Sequence, residues 1–235
     1  AVGHVVAAER QDLKPGDRVS WSIADSCGQC PACAEHLLPE KCDALFKYGH
    51  ASISDGSGLN GCYATHLLLR PGTHIAKVDD KLPDAIVAPA NCVLATAVNA
   101  TALLPVPCNR VLVQGAGLLG LYTCALLAER GVEKIYCADI DAQRLARATA
   151  FGATPVGEQL PTHLDAVFEV AGVSALVPSG IIALRPGGHY LFVGMVHPDT
   201  QLALTGEQVI RKCLTIRGVH NYSPHHLDEA LSFLV

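Results

Sequence analysis

Hydrophobic and polar residues change their rhythm partway along this chain. Up to about residue 80 the apolar residues come in short runs, over 2–8, 18–23, 63–69 and 74–78, separated by turn chemistry such as Lys14-Pro15-Gly16-Asp17 and by a cysteine-rich loop. Short runs bounded by Gly, Pro and Asp predict strands, and so an irregular all-β region. From 83 to 104 the composition becomes rich in Ala and Leu and reads as a helical bridge between two domains, with the boundary near residue 95.

Beyond that point strand and helix patterns alternate. Residues 110–114 form a β-branched, wholly apolar-centred run, and 118–129 scans as a helix stopped by Gly131. A second strand is expected over 135–138 and a second helix over 141–151, with Gly152 just past it. Further strands are expected over 166–170, 189–193 and 214–219. Such alternation predicts an α/β fold, a doubly wound parallel sheet of the Rossmann type with helices on both faces. The chain opens on Ala1-Val2-Gly3 without a methionine and closes on Phe233-Leu234-Val235 inside an amphipathic pattern, which suggests an internal slice of a longer protein.

Composition narrows the partners. The 235 residues are 50% hydrophobic, the formal charge is −5, and no basic run supplies an electrostatic footprint for nucleic acid or an anionic membrane. With no signal peptide and no uninterrupted apolar run of spanning length in the sequence, a small-molecule partner and a cytoplasmic location are expected.

Four cysteines, Cys27-x2-Cys30-x2-Cys33-x8-Cys42, sit on an irregular loop. Disulfides suit small secreted domains that lack a core, and this chain is long enough to bury one. The ferredoxin motif that also opens with Cys-x2-Cys-x2-Cys closes with a different spacing. Four thiolates that can converge tetrahedrally point to a structural zinc ion, with a vacant loop as the alternative. Cys62, Cys92, Cys108, Cys124, Cys137 and Cys213 are scattered through apolar segments, as reduced thiols are.

Gly115-Ala116-Gly117-Leu118-Leu119-Gly120 follows the first buried strand and opens a helix, which is the context a dinucleotide turn requires. Gly115 would make the tight turn, Gly117 would let backbone approach a pyrophosphate, and Gly120 would allow helix to pack on strand. The helix N-terminus then receives the phosphate charge. Asp139 ends the second strand, where a carboxylate accepts from both ribose hydroxyls and repels a 2′-phosphate, favouring NAD over NADP. Without a ligand, the glycines would be an ordinary strand-to-helix turn and Asp139 a helix cap or solvated carboxylate. Arg144 reads equally as a cover for the ribose and as a solvated helix residue.

A cysteine lobe ahead of a Rossmann unit resembles the zinc-containing medium-chain alcohol dehydrogenase family. The resemblance runs through Leu13-Lys-Pro-Gly-Asp-Arg-Val19, the four cysteines, Gly61-Cys-Tyr-Ala64, Ala90-Asn-Cys92, the glycine turn and Leu184-Arg-Pro-Gly-Gly188. Trp21-Ser-Ile-Ala24, Phe46-Lys-Tyr-Gly-His50, Pro89-Ala-Asn-Cys92 and Ile216-Arg-Gly-Val-His-Asn-Tyr222 look most like the branch associated with phosphonate catabolism. The resemblance implies a partial GroES-like catalytic domain over 1–94 and a Rossmann domain over 95–235. It further implies Cys92 as a ligand of a catalytic zinc, Thr96 against the nicotinamide, Val170, Val193 and Gly194 bordering that ring, and Ile23 bordering the substrate. By residue chemistry alone Cys92 is a small core residue and Val170 plain sheet core. His4, His36, His50 and His66 do not match the remaining zinc-ligand positions. The spacing before Cys42 is one residue longer than the family's usual one, a modest cost in a loop.

The implied activity is hydride transfer from a small alcohol to NAD, assisted by zinc that lowers the pKa of the hydroxyl, with hydroxyalkyl phosphonates among the candidate substrates. Alternatives are a polyol or amino-alcohol dehydrogenase of the same family, or a non-catalytic NAD(H)-binding structural or sensor protein. The partners implied are an alcohol or carbonyl substrate and further copies of the chain, as a dimer or tetramer.

Overall fold

A computed structural model describes residues 1–198 and 200–235. The chain divides into two compact units, one built from residues 1–95 together with 221–235, the other from residues 96–220.

In the first unit β1 (Gly3–His4), β2 (Arg18–Trp21) and β5 (Ile75–Lys77) form an antiparallel sheet in the order β1-β2-β5. Val19 and Trp21 of β2 are buried with Phe46 and Tyr48 in a small core. The cysteine loop is closed at its base by a second ladder, β3 (Ala24–Asp25) against β4 (Phe46–Lys47), with Ala24 opposite Lys47 and Asp25 opposite Phe46. Between those strands lie a four-residue helix, α1 (Pro31–Ala34), and a 3₁₀ turn over Pro39–Lys41.

The expected helical bridge over 83–104 is three pieces: α2 (Asp84–Val87), a π-helical turn (Ala90–Leu94) and α3 (Ala95–Ala102). Pro89 stands between the first two and cannot donate the N–H that would continue α2. Residues Asp84–Ala102 are long and apolar enough to cross a membrane by length and composition alone, at mean hydropathy 1.4, though Pro89 and polar residues interrupt the run. Val87, Ala90, Leu94, Ala97 and Val98 are nevertheless buried inside the protein, as in a core helix.

Two further expectations change. Residues 63–69 form no strand: 61–66 are exposed, and the Leu68 N–H bonds the Leu59 carbonyl at 3.0 Å without a ladder forming. A short apolar run without a neighbouring strand has no ladder to satisfy its N–H groups. The second domain was expected to run to residue 235, whereas 221–235 pack with the first unit. The last helix, His225–Phe233, buries His226, Leu227, Ala230 and Leu231 and lies against the π-helical turn.

The second unit is a parallel sheet of six strands: β6 (Arg110–Gln114), β7 (Lys134–Ala138), β8 (Thr154–Pro155), β9 (Leu164–Glu169), β10 (Leu184–Phe192) and β11 (Thr215–Gly218). Their spatial order is β11-β10-β9-β6-β7-β8. Counted from β8 this is 3-2-1-4-5-6, the doubly wound Rossmann order, with its switch point between β6 and β9. β6 is apolar throughout its centre because both faces are covered. Val111 and Val113 pack with Leu121, Cys124 and Leu127 of α4 (Leu118–Glu129), while Leu112 packs with Val177 and Ile181 of α6 (Val177–Ala183).

Helix α4 ends as its sequence requires. Gly131 adopts φ +78°, its N–H reaches the Ala128 carbonyl at 3.0 Å, and the Val132 N–H reaches Leu127 at 3.1 Å, closing a Schellman motif. The expected helix over 141–151 is α5 (Ala142–Arg147) continued by a 3₁₀ turn (Ala148–Phe151), stopped by Gly152 at φ +80°.

Candidate dinucleotide and zinc sites

The carboxyl ends of β6, β7, β9 and β10 carry the predicted nucleotide residues. Gly115 leaves β6 at φ +121°, a conformation open to glycine, and its N–H bonds the Ala138 carbonyl at 2.8 Å. A Cβ on Gly120 would collide with the Gly115 carbonyl oxygen, so helix α4 can sit this close to β6 only because that side chain is absent. A Cβ on Gly117 would meet nothing within 4 Å, which leaves open space beside the backbone where a phosphate would approach. Gly117 is also the N-cap of α4 and brings no side chain to satisfy its first N–H groups. Leu118 is exposed and Leu119 half-buried at the start of this helix.

Asp139 is fixed against that turn. One carboxylate oxygen accepts from the Ala116 N–H at 2.7 Å and the other from the Asp141 N–H at 2.8 Å. The cap of α5 is Asp141, which accepts from Gln143 and Arg144 N–H at 2.8 and 3.1 Å. Arg144 is exposed and leans toward Asp141, with N···O at 3.7 Å. Each Asp139 oxygen retains a lone pair, so a carboxylate held this way still accepts from ribose hydroxyls. The turn, the open face at Gly117 and the held carboxylate fit a dinucleotide.

Val170, Val193 and Gly194 meet on the neighbouring strand ends. Val193 and Gly194 both donate to the Glu169 carbonyl, at 2.9 and 3.0 Å. A Cβ on Gly194 would lie 2.6 Å from the Gly172 nitrogen, so the two segments touch backbone to backbone. Glu169 and Gly172 were not singled out from the sequence. The signal that could have found them is a carboxylate closing an apolar strand, followed by Val-Ala-Gly.

In the first unit the sulfurs of Cys27, Cys30, Cys33 and Cys42 all lie within 4.8 Å of one another. Cys30 Sγ is 3.5 Å from Cys33 Sγ and 3.9 Å from Cys42 Sγ. Sulfurs at the corners of a zinc tetrahedron stand roughly 3.8 Å apart, given a Zn–S bond near 2.3 Å. Backbone N–H groups surround them: Cys27 donates to Cys42 Sγ at 3.2 Å, and Ala44 to the same sulfur at 3.3 Å. The Gln29 and Cys30 N–H groups lower the Cys27 pKa. Those of Asp43 and Cys33 bring Cys30 down to about 6. Desolvation, then Cys30, pushes Cys33 up to about 12. Four sulfurs at these spacings, ringed by backbone donors, fit zinc. The longer spacing before Cys42 is taken up in the 3₁₀ turn, where the Cys42 N–H bonds the Pro39 carbonyl at 3.1 Å.

Cys92 is exposed on the π-helical turn, and Thr96 is half-buried in α3. π-Turns of this kind recur where a helix presents a functional group. Asn91, beside Cys92, is doubly held: its side-chain amide donates to the Trp21 carbonyl at 2.9 Å, and its own carbonyl accepts from the Tyr222 hydroxyl. The same hydroxyl accepts from the Ile23 N–H at 2.9 Å. Burial, against the opposing Ile23 hydrogen bond, raises the Tyr222 pKa, so the hydroxyl keeps its proton and donates.

One unit carries a sheet of Rossmann order with its glycine turn, and the other carries a four-thiol lobe. Residues 119–235 match the model of the zinc-binding dehydrogenase family. D-altritol 5-dehydrogenase of Agrobacterium fabrum is 26% identical over 97% of this chain and 68% of its own length. L-threonine 3-dehydrogenase of Edwardsiella ictaluri is 27% identical over 93% of this chain and 65% of its own length. The chain thus spans about two thirds of the curated relatives it matches. The crystal structure of an alcohol dehydrogenase from Thermotoga maritima superposes with a TM-score of 0.91 at 27% identity, covering 99% of this chain and 71% of that one. Each of these relatives is a dehydrogenase by name.

Proposed function

We propose that this protein is an NAD-dependent, zinc-dependent dehydrogenase that oxidises a small alcohol or reduces the matching carbonyl compound. The observation that carries the reading is the Gly115–Gly120 turn with Asp139 bonded to it, on a chain whose relatives are dehydrogenases. Bound NAD would supply the hydride acceptor, and a zinc ion held in part by Cys92 would supply the polarisation of the alcohol hydroxyl. The chain's residues bind and orient. Gly117 and the N-terminus of α4 receive the pyrophosphate, Asp139 takes the ribose hydroxyls, and Val170, Val193 and Gly194 border the nicotinamide beside Thr96. Cys27, Cys30, Cys33 and Cys42 would hold a structural zinc that braces the lobe, and Ile23 would line the substrate's side. Arg144, which lies exposed, covers the ribose only if it turns from Asp141.

Residues 1–94 are read as a partial GroES-like catalytic domain. Substrate class is read at two levels. The polyol and amino-alcohol names of the relatives favour a polyol or amino-alcohol substrate. The motif likeness to the phosphonate-associated branch favours a hydroxyalkyl phosphonate. Scattered reduced thiols suit the cytoplasm, and the edge of β11 offers a route to a dimer or tetramer. The test is NAD reduction by the purified protein across alcohols, polyols, amino alcohols and hydroxyalkyl phosphonates. Turnover with one class names the substrate. NADH binding with no turnover on any class would favour the sensor reading.

A further inference from the structure

We propose that Glu169 is the positioning residue of the dinucleotide site, holding in register the two backbone segments that border the nicotinamide half. The inference rests on the NAD reading above. Glu169 ends β9 and is wholly buried. Its side-chain Oε1 accepts three consecutive backbone N–H groups: Ala171 at 2.9 Å, Gly172 at 2.6 Å and Val173 at 3.3 Å. Its main-chain carbonyl accepts two more, from Val193 and Gly194 at 2.9 and 3.0 Å. One residue therefore fixes the turn after β9 and the exit of β10 together.

The turn it holds is an unusual one. Gly172 sits at φ +72°, and successive N–H groups converging through such a turn form an anion-binding nest, which here is filled by the protein's own carboxylate. From that anchored segment Ala171 and Val170 reach the glycine turn: a Cβ on Gly115 would lie 3.2 Å from both side chains. The second oxygen, Oε2, is buried with no protein hydrogen-bond partner among the described residues. The nest, filled by the Glu169 side-chain oxygen, shapes the wall around Val170, Gly172 and Gly194, on the side of the turn away from Asp139.

Three variants test this: Glu169→Gln, which keeps one acceptor oxygen for the three N–H groups, Glu169→Asp, which withdraws it by one methylene, and Glu169→Ala, which removes it. The purified chain is titrated calorimetrically with NADH and separately with ADP, whose contacts lie on the Asp139 side. Thermal melting monitors the fold. The expected result is about a tenfold weaker NADH affinity in Glu169→Ala, an intermediate loss in Glu169→Asp, near-wild-type affinity in Glu169→Gln, and ADP affinity changed by less than about threefold throughout. Unchanged NADH affinity in Glu169→Ala would overturn the inference. So would equal losses for NADH and ADP in step with a lowered melting temperature, which would mark Glu169 as structural only. A wild-type chain that binds ADP but not NADH would instead overturn the cofactor reading on which the inference stands.

Discussion

At residue scale, the chemistry depends on atoms that are missing. Gly120 has no room for a methyl group, since a Cβ there meets the Gly115 carbonyl and comes within 3.3 Å of a Val170 methyl. Gly120→Ala must push α4 off β6, at a cost of about 1–3 kcal/mol typical of overpacking, and should abolish measurable NADH binding. A Gly117→Ala change meets nothing and should leave stability within about 0.5 kcal/mol while weakening NADH binding. Melting curves with NADH titrations on both variants check the pair. These glycines were legible in the sequence because the turn follows a buried strand and opens a helix. Glu169 was not, because a polar residue at the end of an apolar run carries no mark of which backbone groups it will accept. The bond from Ala116 N–H to Asp139 was likewise invisible, since backbone donors have no sequence signature.

At the scale of elements, the strand ends are fixed by a carboxylate far from the nucleotide turn. Asp165, at the start of β9, accepts from the Asn109 and Arg110 N–H groups at 2.9 Å each and from Arg185 Nε at 2.6 Å, joining β6, β9 and β10 at their amino ends. Desolvation pushes its pKa up, but Arg185 and the two N–H groups outweigh that and the net shift is downward. A carboxyl held below its unfolded value, about 3.9, stabilises the fold above that pH and loses the contribution as pH falls through the lower folded value. Asp165→Asn should therefore cost about 1–3 kcal/mol at pH 7, with the gap to wild type narrowing below about pH 4. Denaturant melts across pH measure it. A gap that stays constant down to pH 3 would show that the charge contributes nothing.

Elements were read from the sequence where local chemistry closes them. Helix α4 was legible because Gly131 completes its Schellman cap, and β6 because both its faces are apolar. The bridge over 83–104 is helical as read, but its apolar composition hides the break at Pro89 and the wider π turn that follows it. The strand over 63–69 failed for a different reason: a short apolar run suggests burial, while a strand needs a neighbour to pair with. The π turn was also beyond a periodicity argument, and it is the element that carries Cys92.

At the scale of the molecule, two compact units divide the chemistry, one with the thiol lobe and Cys92, the other with the nucleotide turn. The lobe should hold one equivalent of zinc, removable by a strong chelator. Cys42→Ser should lose most of that zinc and lower the melting temperature of the first unit, leaving NADH affinity within about twofold. Metal analysis with paired melting and binding measurements checks this, and a lobe that holds no zinc at neutral pH in the wild type would contradict the structural-zinc assignment. The parallel, doubly wound character of the sheet was legible from strand–helix alternation, whereas the two-residue edge strand β8 was not. That residues 221–235 would return to the first unit was not, because a chain's re-entry is set by long-range packing, here of Tyr222, Leu227 and Leu231, and leaves no local signal.

The central claim, that the Gly115–Gly120 turn and Asp139 form an NAD site, is tested most directly by titrating the purified chain with NADH and NADPH under identical conditions. The account requires NADH to bind at least about tenfold more tightly, because a 2′-phosphate would meet the Asp139 carboxylate, and requires Asp139→Asn to narrow that gap. NADPH binding as tightly as NADH, or neither nucleotide binding, would contradict it.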